Sequence, residues 1–244
     1  MLFRPFNPAL ALMLAATIVP GQNVVPLTAE AILTKLAAME SARNKRLPSY
    51  KVTREYHLQL AARNKSVNST AEFEYQQLSG KTFRILEETG AEGLYRRALR
   101  KLMEAEVRAV IAESELEVSL KNYTATIVGA EILNERICHV LSLTPRRNSK
   151  FLIKGKAWID ATEFGLVRLE GHPTESLSFW VGKPFISQTF NNVGGHWLLV
   201  SNKSFVEAKI VGHVELTVKS SNYTLKPTQS QDTGLVLASF GKGK

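Results

Sequence analysis

The stretch from Phe151 to Lys219 constrains this chain most. It alternates apolar and polar residues and is cut at short intervals by turn formers. In its last segment Ile210, Gly212, Val214, Leu216 and Val218 share one face, and Val211, His213, Glu215, Thr217 and Lys219 the other. That period of two belongs to a strand with one dry and one wet side. Asp160 to Gly165, Gly171-His172-Pro173, Gly182-Lys183-Pro184 and Gly194-Gly195 read as the turns between strands. A meander this long must curl, or pack on helices, to cover its apolar face.

The N-terminal half adds strands and two helices. Thr28 reads as an N-cap with Glu30 in the first turn, followed by an apolar stripe of Ile32, Leu33, Leu36 and Met39. The pattern predicts a helix that fades over the basic run Arg43 to Arg46 and stops before Pro48. Tyr50, Val52, Arg54, Tyr56, Leu58 and Leu60 then point one way along a strand. Arg54 stands on that apolar side, where a guanidinium must be paired or hydrogen-bonded. It reads either as a structural pair or as a latch at a cavity mouth, holding a lid through backbone carbonyls. Asn64 to Ser69 reads as a polar turn. Ala71, Phe73 and Tyr75 mark a second strand, and Phe83 and Ile85 a third. Gly90 and Gly93 break the pattern before a helical insert, Glu92 to Glu113, whose apolar residues include Leu94, Leu99, Leu102 and Met103. The insert must lay its apolar side on the sheet or on an apolar ligand. Strands resume at Tyr123 and at Arg136, giving roughly ten in all. The expected class is mainly β (α+β): an unclosed antiparallel β-barrel with covering helices.

Composition bears on partners and destination. The chain of 244 residues carries 31 Lys and Arg against 22 Asp and Glu. The basic residues are scattered, apart from short clusters that include Arg146-Arg147. Such a surface is either simply solvated or drawn to anionic phospholipid head groups. No nucleic-acid recognition motif accompanies the charge. Arg4, the apolar run Ala9 to Val19 and the compact Val19-Pro20-Gly21 read as an export signal, the run being too short for a membrane span of about 20 residues. The expected organisation is therefore a signal over residues 1–21, one domain over 22–225 and a loose tail over 226–244. The single cysteine, Cys138, allows no internal disulfide, and it lies in an apolar strand as a buried thiol. No cysteine follows the signal region for lipid attachment. A released periplasmic protein with transient membrane contact is the expectation.

Catalytic signatures are missing. None of the five histidines has a partner at metal-ligand spacing, and no phosphate loop, nucleophile elbow or dinucleotide fingerprint is present. Asp160 and Glu170 flank one hairpin but read as strand-end charges. The sequence thus points to no enzyme, metal or cofactor. It offers instead strands that are apolar on both sides, around Trp158 and over Trp197 to Val200. Such strands pack helices on one face and either a core or a cavity on the other.

The order of parts resembles the LolA/LolB-like family of periplasmic lipoprotein-sorting proteins. Lys156-Ala157-Trp158-Ile159-Asp160, Phe164 to Gly171, Gly195-His196-Trp197 and Gly212-His213-Val214 are similar to its later hairpins, and the resemblance covers most of Thr28 to Leu225. It implies an open barrel enclosing a hydrophobic cavity for the acyl chains of lipoproteins or lipids. It also implies a strand arginine, here Arg54, that tethers a lid. An envelope sensor built on the same fold, with a protein partner, is the alternative. The residues expected to contact the acyl chain are Arg54, Tyr56, Leu58, Phe73, Tyr75, Phe83, Leu94, Leu99, Leu102 and Trp158.

Overall fold

The computed structural model describes residues 27–226 apart from 78, 92, 110–115, 177–181 and 210–211. The signal region, the 227–244 tail and the end of the helical insert lie outside the described residues. The elements are α1 (Ala29–Asn44), β1 (Tyr50–Leu60), β2 (Lys65–Gln76), β3 (Gly80–Gly90), α2 (Leu94–Ala109), β4 (Tyr123–Leu133), β5 (Arg136–Pro145), β6 (Ile153–Asp160), β7 (Leu166–Pro173), β8 (Phe185–Val193), β9 (His196–Ala208) and β10 (Gly212–Leu225). All ten strands form one antiparallel sheet in the order β3-β2-β1-β10-β9-β8-β7-β6-β5-β4. Every neighbour is a hairpin neighbour except β1 and β10, which close the ends of the chain on each other. The open edges are β3 and β4, the two strands that α2 separates in sequence. A helix has taken the place of the hairpin that would have shut the barrel.

The sheet is curled. Side chains from β3 and β7, six places apart in the sheet, border a single cavity. Two cores fill its concave side. In the first, α1 sets Ala29, Ile32, Leu33 and Leu36 on Tyr123, Leu141, Leu143, Ile153, Ala157 and Ile159. Thr28 caps this helix by accepting from Ala31 N–H at 3.1 Å. In the second, Leu99 and Met103 of α2 sit on Tyr50, Val52, Tyr56, Val67, Ala71, Phe73 and Val218. Those residues include the inward side of β1 read from the alternation. Between the cores, β8 to β10 carry mostly half-buried residues, with Val218 of β10 buried beneath α2.

Four sequence expectations need correction. Asn64 to Ser69 is not a turn: β2 starts at Lys65 and pairs with β1 from Leu60↔Lys65 onward, while the reversal is a short 3-10 turn, Ala61–Arg63, ending on Asn64 at φ +45°. Gly171-His172-Pro173 is not a turn either. It is the end of β7, and Gly155↔Gly171 is a close crossing at which a Cβ on Gly155 would lie 1.9 Å from the Glu170 carbonyl oxygen. Phe151 precedes β6 and is exposed rather than alternating with it. Met39 is exposed too, because the turn of α1 carries it past the core.

Candidate functional site

Between α1, α2 and the middle of the sheet lies a cavity of about 670 Å³. Leu36 and Ala37 of α1, Leu47, Leu116 and Val118 form its helix side. Leu166 and Leu169 of β7, Phe190 of β8, Trp197, Leu198 and Leu199 of β9 and Tyr223 of β10 form its floor. Small-molecule sites run from about 300 to 1,000 Å³ and are mostly apolar with a few placed polar groups. This one fits that description.

The polar groups come from the two helices, from β1 to β3 and from Glu117. Arg54 is 4% exposed and reaches from β1 to α2, where its Nη1 pairs with Glu106 Oε1. Its guanidinium carbon lies 4.6 Å from the centroid of Phe73, a cation–π contact beneath α2. Burial alone would lower the Arg54 pKa, but the Glu106 charge and the Tyr56 phenol outweigh it and the pKa rises. Burial pushes the Tyr56 phenol up, with the Glu106 charge adding to it. Arg54 therefore latches a helix, though to a carboxylate and not to the backbone carbonyls expected. Arg96 fastens the other end of α2 by donating to the carbonyls of Ala91 and Gly90, both at 3.2 Å.

A second arginine does what was expected of the first. Arg43, read from the sequence as the start of the basic run over which α1 fades, is 7% exposed. It donates to the carbonyls of Glu163 (2.5 Å) and Phe164 (3.4 Å) in the β6–β7 turn and pairs with Glu40 at 3.1 Å. It ties the last turn of α1 to the sheet. The available signal was its spacing: Arg43 falls seven residues after Leu36, on the buried side of α1.

Glu40 borders the cavity. Burial raises its pKa; Arg43 works against that, and Glu117 across the cavity adds to it. A carboxyl raised on folding binds its proton more tightly in the native state. Its contribution to stability is then fully present below its unfolded pKa and is lost as pH rises through the folded one. Glu40→Gln is accordingly expected to be more stable than wild type at pH 7, with the difference vanishing in acid. Urea midpoints at pH 4 and pH 7 check this.

The residues expected to contact a ligand are distributed as follows. Arg54 and Tyr75 border the cavity. Tyr56, Phe73 and Leu99 are buried in the α2 core, with Leu58 and Phe83 packed against it. Leu94 and Leu102 of α2 point outward, 72% and 43% exposed. Trp158 lies on the other face of β6, in a cluster with Cys138, Val140, Val167 and Trp197, and its indole N–H donates to Glu131 at 2.8 Å. Cys138 in that cluster is wholly buried. Asp160 and Glu170 have separate partners: Asp160 accepts from Arg136 and from the N–H groups of Thr162 and Glu163, whereas Glu170 pairs with Arg168. Among the described residues no group of three or more His, Cys, Asp and Glu side chains is placed to hold a metal.

Of the floor residues, Phe190 and Tyr223 were missed, and Leu199 was read only as part of the two-sided stretch Trp197 to Val200; the cause is the register. Along β10, Leu216 and Val218 face inward, but Asn222 at φ +55° and an irregularity opposite Lys51/Thr53 put Tyr223 on the same side. A second irregularity, at Thr189/Phe190, pairs Phe190 with Leu199 and shifts the alternation of β9 in the same way. A bulge breaks the period of two, so alternation read along the sequence assigns the wrong face beyond it.

These features define an open, helix-lined antiparallel β-barrel around an apolar cavity. Solved structures similar to this chain include a LolA superfamily protein from Nitrosomonas europaea (12% identity, TM-score 0.40, covering 82% of this chain and 94% of that one). A domain assigned to outer membrane lipoprotein sorting from Vibrio parahaemolyticus is similar at 11% identity and TM-score 0.39, covering 81% and 93%. A chain of the MucA/MucB complex of Pseudomonas aeruginosa is similar at 10% identity and TM-score 0.25, covering 80% and 99%. No family model matches the chain, and no curated protein matches it.

Proposed function

We propose that the protein is an exported, non-catalytic carrier that takes acyl chains, those of lipoproteins or of free lipids, into the cavity between its helices and its sheet. The observation behind this reading is the cavity itself: about 670 Å³, floored by Leu166, Leu169, Phe190 and Leu199. Burying an acyl chain is worth about 0.8 kcal/mol per methylene, so such a space binds without any reaction. In this reading residues 1–21 are removed on export, residues 22–225 are the working domain, and the protein acts in the periplasm. Arg54 and Tyr75 border the bound chain, and the Arg54–Glu106 pair holds α2 over it. Purified protein extracted with organic solvent and examined by mass spectrometry is expected to release lipid. The emptied protein is then expected to bind a fluorescent fatty acid. Absence of both overturns the proposal.

One observation favours the alternative, an envelope interaction module. The open edge strand β4 and its neighbour β5 expose Ile127, Val128, Ile132 and Ile137, and no lysine or proline blunts β4. On that reading the same purification yields a bound protein instead of a lipid, and Ile132→Lys removes it.

A further inference from the structure

Residues 146–152 join β5 to β6 and hold Phe151 out in water, 67% exposed. The loop presenting it is fixed. Ser149 N–H donates to Thr174 Oγ1 at 2.7 Å, and the Thr174 hydroxyl and the Glu175 N–H both donate to the Ser149 carbonyl at 3.1 Å. Phe151 N–H donates to Ser149 Oγ at 3.0 Å, and the next side chain, Leu152, is fully buried. A ring held out on so firm a base is presented rather than merely left over. Beside it in the chain are Arg146, Arg147, Lys150 and Lys154, all exposed, and Lys183, two residues before β8, borders the same concavity as Lys154. Arg146 spends its hydrogen bonds on neutral acceptors, the carbonyls of Leu120 (2.8 Å) and Tyr123 (3.1 Å), and so keeps its charge uncompensated. Among the described residues Lys150, Lys154 and Lys183 form no ion pair. Beside the loop a concavity of about 570 Å³ is lined by Thr144, Asn148, Lys154, His172, Thr174 and Lys183, without a carboxylate. Glu175 is the one acidic residue across 142–155 and 172–175.

We propose that this face docks the protein on an anionic phospholipid surface, with Phe151 entering the interface and a headgroup phosphate seated between Lys154 and Lys183. A fixed aromatic beside a field of one sign supplies the two terms that hold a protein on such a surface, apolar insertion and headgroup attraction. The charge term fades beyond a Debye length, so the contact is short-ranged and reversible in salt. The site is separate from the acyl cavity, and it stands or falls independently of it.

Co-sedimentation with vesicles tests this. The purified chain is expected to pellet with equimolar phosphatidylglycerol and phosphatidylcholine vesicles, not with phosphatidylcholine alone. Lys154→Glu and Lys183→Glu are each expected to weaken binding by roughly fivefold or more. Phe151→Asp is expected to weaken it with the basic face intact, and Lys203→Glu, a reversal on exposed β9, to leave it within twofold. Should a lysine variant melt early, Phe151→Asp decides. Equal binding to both vesicle types, no binding to either, or a loss with Lys203→Glu equal to that with Lys154→Glu overturns the proposal.

Discussion

Glu106→Leu is expected to destabilise the protein by about 3 kcal/mol, at the low end of what removing one partner of a buried ion pair costs. The estimate sits at the low end because the Glu106 side chain is 31% exposed and solvent screens part of the attraction. What remains after the substitution is Arg54, 4% exposed, stacked on Phe73, with a buried Nε that has no acceptor. Its charge is then left without a carboxylate partner. The reverse substitution should be milder. Arg54→Leu strands Glu106, which can turn to solvent, at a cost of about 1 kcal/mol. The pair Arg54→Leu/Glu106→Leu should lie near wild type, because it deletes both desolvation costs and adds apolar surface beneath α2. Urea midpoints for the three variants decide. Equal and additive losses would mean that the two side chains are not coupled. Glu106→Leu and Arg54→Leu both remove the ionic tie between α2 and β1, leaving the Leu99 and Met103 packing, and each should speed exchange of a fluorescent fatty acid.

Much of this architecture is legible in the residues, and the reasons are local. Tyr50 to Leu60 alternates cleanly because β1 is paired on both sides along nearly its whole length, to β2 and to β10, so each inward position is dry. The amphipathic insert announces α2 because Leu99, Met103 and Val107 recur at helical spacing on an otherwise charged segment. The cavity floor is hidden for the opposite reason. Phe190, Leu199 and Tyr223 lie beyond irregularities, where the face changes without any change in composition. Long-range partners are hidden as well. Nothing near Arg54 in sequence names Glu106, 52 residues on, and nothing near Arg43 names the Glu163 carbonyl, 120 residues on. Such pairs are products of the curled sheet, and a side chain's chemistry shows only that it must find some partner.

Gly165→Val is expected to cost about 3 kcal/mol and to abolish uptake of a fatty acid probe, and the cause is a single ring. A Cβ at position 165 would lie 2.0 Å from Cε2 and Nε1 of Trp197. That is more than an ångström inside ordinary contact, and the indole must move. It has little freedom to do so. Trp197 is 7% exposed, packs in the cluster with Cys138, Val140, Trp158 and Val167, and carries the Arg136 guanidinium over its ring at 5.1 Å. Overpacking a tight site costs about 1–3 kcal/mol, and a clash against a ring held on several sides belongs at the top of that range. The same ring borders the cavity beside Leu166, Leu198 and Leu199, so a shift there alters the wall that an acyl chain meets. Gly165 has no need of a left-handed backbone; its φ is not positive, and the requirement is purely one of space. Gly165→Val/Trp197→Leu should therefore recover most of the stability, since the added methyls occupy volume that the smaller residue vacates. The recovered variant separates two contributions of Trp197. If probe uptake returns with stability, the ring serves the cavity only by keeping its place; if stability returns and uptake does not, the indole itself contacts the chain. Thermal melts and probe titrations on the single and double variants give the answer, and a double variant no more stable than Gly165→Val would show that the clash is not the cause of the loss.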